Sequence, residues 1–222
     1  MGKSIELRAA DGHRFGAYVA EPSGAPRGVV VIAQEIFGVN KHIRAVTDEY
    51  AADGFLAIAP ALFDRIEPDY ETGYSPDDIQ SGRAVMQQID MDQTLLDMTA
   101  TVEWAARGGK VAVIGYCWGG TLAWLSAARI PGLSAAVAYY GGAIHRYREE
   151  APKCPMLMHF GEKDQSPSPD QAREIIAMHP GVSAHFYDAG HGFNCDHRPS
   201  FDEDASALAR ERTLEFLATE LA

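Results

Sequence analysis

The hydrophobic pattern of the chain alternates between short apolar runs and longer segments that carry one apolar face. Residues 28–33 form a continuous, largely β-branched run, which is typical of a strand buried on both faces of a parallel sheet. Residues 40–53 instead place Ile43 and Tyr50 on one helical face, and Gly54 follows as a helix stop signal. This alternation predicts strand–helix–strand units.

The elements predicted by this pattern extend along the whole chain. A strand hairpin is predicted around Asp11-Gly12, a dipeptide typical of such turns. Further strands are predicted at residues 28–33, 55–59, 110–114, 133–139, 155–160 and 183–187, and helices at residues 40–53, 76–89, 91–107, 118–129, 169–179 and 202–221. Strands alternating with helices predict an α/β fold with a mainly parallel central sheet and helices on both faces.

The domain organisation expected from length and composition is one α/β domain over residues 1–222. At 222 residues and 46% hydrophobic, the chain can bury one sizeable core and is short for two. Residues 62–78 contain Pro68, Gly73 and Pro76 and predict a long surface loop rather than a domain boundary. Long loops in small domains are often lids or binding loops.

The charge and the cysteine content narrow the classes of partner. A formal net charge of −12 argues against nucleic acid and weakly against anionic membrane surfaces. No run of apolar residues is long enough for a membrane-spanning helix, and the N-terminal segment lacks the apolar region of a secretory signal. Three cysteines without metal-ligand spacing favour a reducing cytoplasm. We expect a cytoplasmic monomer that acts on a small molecule.

A candidate nucleophile follows the strand predicted at residues 110–114. Residues 115–120 read Gly-Tyr-Cys-Trp-Gly-Gly, which has the form of the nucleophile elbow Gly-x-Ser-x-Gly with Cys117 in place of serine. The following helix N-terminus favours a thiolate, and the backbone N–H of Trp118 is a predicted oxyanion donor. A free cysteine is more often a small core residue, which is the expectation for Cys154 and Cys195.

The predicted partners of this cysteine occur in the order nucleophile, acid, histidine. Asp164 follows the strand at residues 155–160, and Glu162 in the same turn is the alternative acid. Of the eight histidines, His191 combines a strand end, flanking glycines and the correct order. His159 lies inside an apolar strand and is expected to be a core histidine. The chemistry requires a base near the thiol and a carboxylate that orients the base.

These residues resemble those of the dienelactone hydrolases (carboxymethylenebutenolidases), a branch of the α/β-hydrolases. The resemblance implies hydrolysis of a small ester or lactone, in which Cys117 attacks the carbonyl, His191 shuttles the proton and Asp164 orients His191. The matching segments are Ala-Gln-Glu-Ile-Phe-Gly-Val-Asn at 33–40, Gly-Tyr-Cys-Trp-Gly-Gly at 115–120, Ala-Tyr-Tyr-Gly at 138–141, Gly-Glu-Lys-Asp at 161–164, Gly-His-Gly-Phe at 190–193 and Glu-Arg-Thr-Leu at 211–214.

Two further roles are implied by the same resemblance. Glu35 is implied to lie beside the thiol and to take its proton when substrate displaces the carboxylate. The backbone N–H of Ile36 is implied to join that of Trp118 in the oxyanion hole. A negative Glu35 would keep Cys117 protonated at rest, and a thiol resists oxidation better than a thiolate. The alternative for Glu35 is a solvated carboxylate at a strand end.

The predicted substrate-binding residues depart from the family pattern. The family's best-known substrates carry a carboxylate held by two arginines, and the corresponding positions here are Ile79 and Cys195. Arg83, one helical turn after Ile79, is the predicted substitute, and Arg198 is a further candidate. The catalytic segments therefore match while the substrate clamp does not, which leaves ester or lactone hydrolysis as the prediction.

The remaining predictions concern the acyl pocket and the reaction class. The aromatic residues that could line an apolar acyl site are Phe37, Tyr70, Tyr74, Trp118, Tyr140 and Phe193, and the alternative for each is simple packing. No cofactor and no metal are expected, because acyl transfer from a cysteine requires neither. The alternative function is a non-catalytic thiol sensor or ligand-binding relative of the fold. A thioester or amide substrate is not separable from an ester by sequence.

Overall fold

The strands and helices follow one another in the order that the hydrophobic pattern predicts. The computed structural model describes residues 2–222. The strands are β1 (Lys3–Arg8), β2 (Arg14–Ala20), β3 (Val29–Ala33), β4 (Leu56–Pro60), β5 (Val111–Tyr116), β6 (Ala135–Tyr139), β7 (Met156–Gly161) and β8 (Ser183–Tyr187). The helices are α1 (Lys41–Ala52), α2 (Pro76–Met86), α3 (Met91–Ala105), α4 (Trp118–Arg129), α5 (Pro169–Met178) and α6 (Glu203–Glu220). The chain divides into two compact units, one ending at Val111 and the other beginning at Ala112, and the single-domain organisation stays a prediction.

The first unit is built on the strand order β1-β2-β4-β3. β1 and β2 form the predicted antiparallel hairpin, in which Gly12 adopts a φ of 92° that suits the turn. β2 pairs antiparallel with β4, whereas β3 pairs parallel with β4 through Val29 opposite Leu56. Every residue of β3 is buried, and α1 and α3 pack against these strands.

The second unit has the strand order β5-β6-β7-β8, and all its strand pairs are parallel. α4 packs against β6, α5 against β7, and α6 against both of these strands. Because the strands run in the same direction, the loops that follow β5, β7 and β8 leave the same edge of this sheet. This carboxyl edge is where α/β proteins collect ligand-facing residues.

The starts of α2 and α3 are set by N-capping residues. Ser75 and Asp78 form a capping box at the start of α2, with Pro76 in the first turn. α2 was expected to reach residue 89 but ends at Met86. Asp90 has an extended backbone (φ −88°, ψ 118°) and caps α3 by accepting the N–H groups of Asp92 and Gln93, so α3 begins at Met91 as predicted.

The segment between β4 and α2 differs from the surface loop predicted at residues 62–78. Leu62 and Phe63 are 0% and 1% exposed, so its first residues belong to the core. Asp64 accepts a hydrogen bond from the backbone N–H of Gly16 at 2.7 Å, which ties the segment to β2. The prediction of an exposed loop is therefore wrong for its beginning, where apolar side chains lack the regular spacing that marks a buried element.

The helices of the described chain show no membrane-spanning character. α6 is 18 residues long and carries charged side chains along its length. Within residues 2–222, no helix has both the length and the apolar character that a bilayer crossing requires.

Candidate active site

Cys117 is the single residue between the end of β5 and the start of α4. Its backbone has φ 56° and ψ −115°, a left-handed conformation that non-glycine residues rarely adopt and that costs about 1–3 kcal/mol. The backbone N–H of Cys117 donates to the carbonyl of Tyr139, and its carbonyl accepts from the N–H of Gly120, both at 3.0 Å. The surrounding backbone thus holds the cysteine in a strained turn.

The glycines of the elbow allow backbone segments to approach each other closely. A Cβ atom on Gly115 would lie 1.8 Å from the carbonyl oxygen of Gly119. A Cβ atom on Gly120 would lie 2.7 Å from the carbonyl oxygen of Tyr139. These neighbours are backbone atoms that cannot rotate away, so side chains at either position would displace the turn that carries Cys117.

The structure brings Cys117, His191 and Asp164 into one chain of contacts. His191 Nε2 lies 3.1 Å from Cys117 Sγ, and His191 Nδ1 lies 2.9 Å from Asp164 Oδ2. The Asp164 side chain is 1% exposed, whereas that of His191 is 27% exposed. The other carboxylate oxygen of Asp164 accepts the backbone N–H of Ser166 at 2.8 Å. This arrangement can hold an imidazole in one orientation beside the thiol.

The electrostatic surroundings of His191 favour the imidazolium form. Burial lowers the pKa of His191, but attraction to the negative charge of Cys117 and the hydrogen bond with Asp164 outweigh it and raise the pKa from 6.5 to about 10. An imidazolium at this position donates Nδ1–H to Asp164 and Nε2–H to Cys117. A thiolate on Cys117 therefore has a stabilising counter-ion at neutral pH.

Glu162, the alternative acid, points away from this chain of contacts. Its carboxylate pairs with Arg173 at 2.8 Å and is 39% exposed. The backbone of the same turn is joined to the loop after β8, because Lys163 N–H donates to the carbonyl of Ala189 at 3.0 Å. The structure thus places Asp164, and not Glu162, against His191.

One of the predicted pocket aromatics contacts the His191 ring, and a second packs against the first. Tyr140 meets that ring edge-on at a centroid distance of 5.1 Å, and Phe193 lies 5.3 Å from Tyr140. Both side chains are fully buried, and Tyr140 has a positive φ of 39°. These contacts restrict the imidazole, and the role of the two aromatics in substrate binding stays a prediction.

His159 is a core histidine, as its place in an apolar strand predicts. Its Nδ1 lies 2.8 Å from the Tyr187 hydroxyl and its Nε2 lies 3.0 Å from Thr213 Oγ1. Burial lowers the pKa of His159 well below 6.5, so the ring is neutral. Tyr139 also bonds Thr213, at 2.7 Å. No local sequence pattern predicts this hydrogen-bond network, because its members are separated by tens of residues along the chain.

Both of the other cysteines are predicted to be small core residues, and the structure confirms this for Cys195 only. Cys195 is fully buried. Cys154 is partly buried, and burial raises the pKa of its thiol to about 11, which keeps it protonated and unreactive.

The predicted residues of the first unit lie on the segment after β3 and on α2. Glu35 is 0% exposed, so the solvated-carboxylate alternative is wrong, and its Oε2 accepts a hydrogen bond from the Tyr74 hydroxyl at 3.3 Å. Ile36 and Phe37 are also buried, whereas Arg83 is exposed on α2. The placement of Glu35 beside Cys117 and the part of Ile36 in an oxyanion hole stay predictions.

The strand order, the elbow and the cysteine–histidine–carboxylate contacts together define an α/β-hydrolase. Residues 15–221 match the model of the dienelactone hydrolase family. The chain belongs to the dienelactone hydrolase family, and its predicted class as a hydrolase is confirmed.

Curated relatives and a solved structure are similar to this chain over nearly its full length. The chain is 36% identical over 231 residues to the carboxymethylenebutenolidase of Pseudomonas putida and 34% identical over 229 residues to carboxymethylenebutenolidase 1 of Cupriavidus pinatubonensis. Each match covers 98% of this chain and 97% of the relative. The structure of a candidate dienelactone hydrolase from Klebsiella pneumoniae is similar with a TM-score of 0.85 and 30% identity, covering 98% of this chain and 99% of that one. The predicted α/β-hydrolase fold is thereby confirmed.

Proposed function

We propose that this hydrolase cleaves small carboxylic esters or lactones through an acyl-enzyme formed on Cys117. The observation that carries the proposal is the contact of His191 with both the Cys117 sulfur and the Asp164 carboxylate. The names of the relatives, which are enzymes of a butenolide lactone, support the substrate class. A thiol sensor is not favoured, because a protein that only binds ligands has no use for the Asp164–His191 pair.

The proposed acylation begins when substrate displaces Glu35 from the thiol. Glu35 takes the Cys117 proton, and the thiolate, paired with the His191 imidazolium, attacks the substrate carbonyl. The carbon–oxygen bond to the leaving group breaks, and His191 donates its Nε2 proton to the departing oxygen. The backbone N–H groups of Trp118 and Ile36 are the proposed donors to the oxyanion. Trp118 suits this part because it directly follows Cys117 and is the first residue of α4, a helix end that favours developing negative charge.

Deacylation restores each proton to its starting place. The neutral His191 accepts a proton from water as the oxygen attacks the thioester, and the carbon–sulfur bond breaks to release the carboxylic acid. The thiolate regains its proton from Glu35. Buried negative charge on Glu35 then again favours the neutral thiol over a thiolate in the resting enzyme.

The acyl-enzyme is tested by rapid mixing with p-nitrophenyl acetate and acid quenching. We expect a burst of p-nitrophenol and an added acetyl mass on the peptide that contains Cys117. Cys154, a second partly exposed thiol in the same unit, is the internal control and should stay unmodified. Turnover with the acetyl group on another residue would contradict the proposal.

Arg83 is the proposed anion-binding residue for substrates that carry a carboxylate. Arg83→Ala should raise KM about tenfold for an ester with a free carboxylate and leave a matched neutral ester unchanged, because only the acidic ester loses an ion pair. Arg107→Ala, which removes another exposed arginine of the first unit, is the control for net charge. Equal effects on both esters would show that Arg83 is not an anion clamp.

The remaining proposals concern the setting in which the enzyme acts. We propose a cytoplasmic monomer that uses no cofactor and no metal, in keeping with its free thiols and its formal net charge of −12. Light scattering after gel filtration would test the monomer, for which the expected mass is 24.1 kDa.

A further inference from the structure

The buried carboxylate of Glu35 is held from the segment that precedes α2. The Tyr74 hydroxyl donates to Glu35 Oε2 at 3.3 Å, across 39 positions of the chain. Glu35 is 0% exposed, and Tyr74 is half-buried, so the contact is partly removed from water. A hydrogen bond to a buried charged acceptor is stronger than one at the surface.

Asn40 directs the proton of this hydroxyl toward Glu35. Its Nδ2 donates to the Tyr74 oxygen at 3.2 Å and to the carbonyl of Thr72 at 3.1 Å. Its Oδ1 accepts the backbone N–H of Ile43 at 3.2 Å as the N-cap of α1, which fixes which end of the amide faces Tyr74. A phenol has one proton, so an oxygen that accepts from Asn40 points its hydrogen elsewhere, here to Glu35.

The backbone on both sides of this contact is braced. Thr72 N–H donates to the carbonyl of Phe37 at 3.1 Å, and the Phe37 and Tyr74 rings lie 4.5 Å apart. Gly82 of α2 approaches Ile36 so closely that an added Cβ would lie 2.3 Å from the Ile36 carbonyl oxygen. The hydroxyl of Tyr74 therefore meets Glu35 from a rigid frame.

We propose that Tyr74 is a positioning residue for the reaction, whose hydroxyl, oriented by Asn40, holds the Glu35 carboxylate in the orientation that exchanges a proton with the nucleophile. This inference rests on the proposed function, in which Glu35 takes and returns the thiol proton. Proton transfer requires a narrow range of distances and angles between the two groups. The hydrogen bond from Tyr74 restricts rotation of the Glu35 carboxylate, so the carboxylate stays within reach of the thiol proton when substrate displaces it.

Two substitutions remove the hydrogen bond from the Tyr74 hydroxyl to Glu35 while retaining the packing. Tyr74→Phe keeps the ring against Phe37 and deletes the donor. Asn40→Asp remains a good N-cap for α1 but replaces the amide donor with an acceptor, which draws the Tyr74 proton away from Glu35. Each variant should lower kcat about tenfold with KM within about twofold of wild type.

The matched control is Tyr18→Phe in the same unit. The Tyr18 hydroxyl donates to Asp48 Oδ1 at 2.9 Å and is partly buried, as is that of Tyr74. This variant loses a phenol hydroxyl with no link to Glu35, so it should keep wild-type kcat. Thermal unfolding of all three variants checks that the fold persists, and Asn40→Asp carries the test if Tyr74→Phe fails to fold.

A double-mutant cycle distinguishes positioning from a structural role. If Tyr74 acts through Glu35, Tyr74→Phe should change kcat less than about twofold in a Glu35→Gln background. An equal loss in both backgrounds, or wild-type kcat for Tyr74→Phe alone, would overturn the inference and leave the proposed part of Glu35 standing. Wild-type turnover by Glu35→Gln itself would remove Glu35 from the proposed mechanism, and the inference with it.

Discussion

Replacement of Cys117 by alanine is expected to reduce kcat/KM for a small ester on the order of 10⁴-fold or more. The substitution removes the sulfur that would form the proposed acyl-enzyme and that lies 3.1 Å from His191 Nε2. Alanine keeps the strained backbone at φ 56°, so the native fold should be retained. Steady-state hydrolysis and circular dichroism of the purified variant measure the two effects.

The control for this experiment is Cys154→Ala, which removes a thiol from the same unit. That thiol is protonated because burial raises its pKa to about 11, so its loss should leave turnover near the wild-type value. Near-normal hydrolysis by Cys117→Ala, with the protein folded, would exclude an acyl-enzyme on this residue.

Replacement of Asp164 by asparagine is expected to lower kcat by about 10⁴-fold while the fold is retained. Asparagine is similar in shape to aspartate, but its amide can donate a hydrogen to Nδ1 and so stabilise the wrong tautomer of His191. It also removes the negative charge that stabilises the imidazolium. Glu162→Gln is the matched control, because that carboxylate pairs with Arg173 in the same turn and should be dispensable. Loss of activity in Glu162→Gln but not in Asp164→Asn would reverse the assignment.

The pH dependence of the Asp164 variant gives an independent measurement. The negative charge of a Cys117 thiolate helps to raise the pKa of His191 to about 10, so in the proposed substrate-bound enzyme the proton for the leaving group is present below that pH and is lost as the pH rises through it. We expect the alkaline limb of kcat, which reports the substrate-bound enzyme, near pH 10 for wild type, after subtraction of the uncatalysed rate. Asp164 contributes to the raised pKa of His191, so in Asp164→Asn the limb should move to lower pH. An alkaline limb at the same pH in both proteins would contradict the role of Asp164 in stabilising the His191 imidazolium.

The sequence alone determined the local elements and the place of the candidate nucleophile in the fold. α4 at residues 118–129 and β8 at residues 183–187 have the predicted bounds, because hydrophobic periodicity is a property of neighbouring residues. The motif around Cys117 predicted the strained turn, because its glycines occupy positions where the backbone leaves no room for a side chain. The convergence of Cys117, Asp164 and His191 could be anticipated because loops after parallel strands leave one sheet edge.

Only the tertiary structure decided between residues that share the same local setting. Asp164 and Glu162 lie in one turn after β7, and the pairing of Glu162 with Arg173 leaves Asp164 to meet His191. Tyr74 reaches Glu35 from 39 positions away, and Leu62 is buried in a segment whose composition predicts a surface loop. Hydrophobic pattern and motif report on near neighbours, whereas burial and hydrogen-bond partners depend on which distant segments the folded chain brings together.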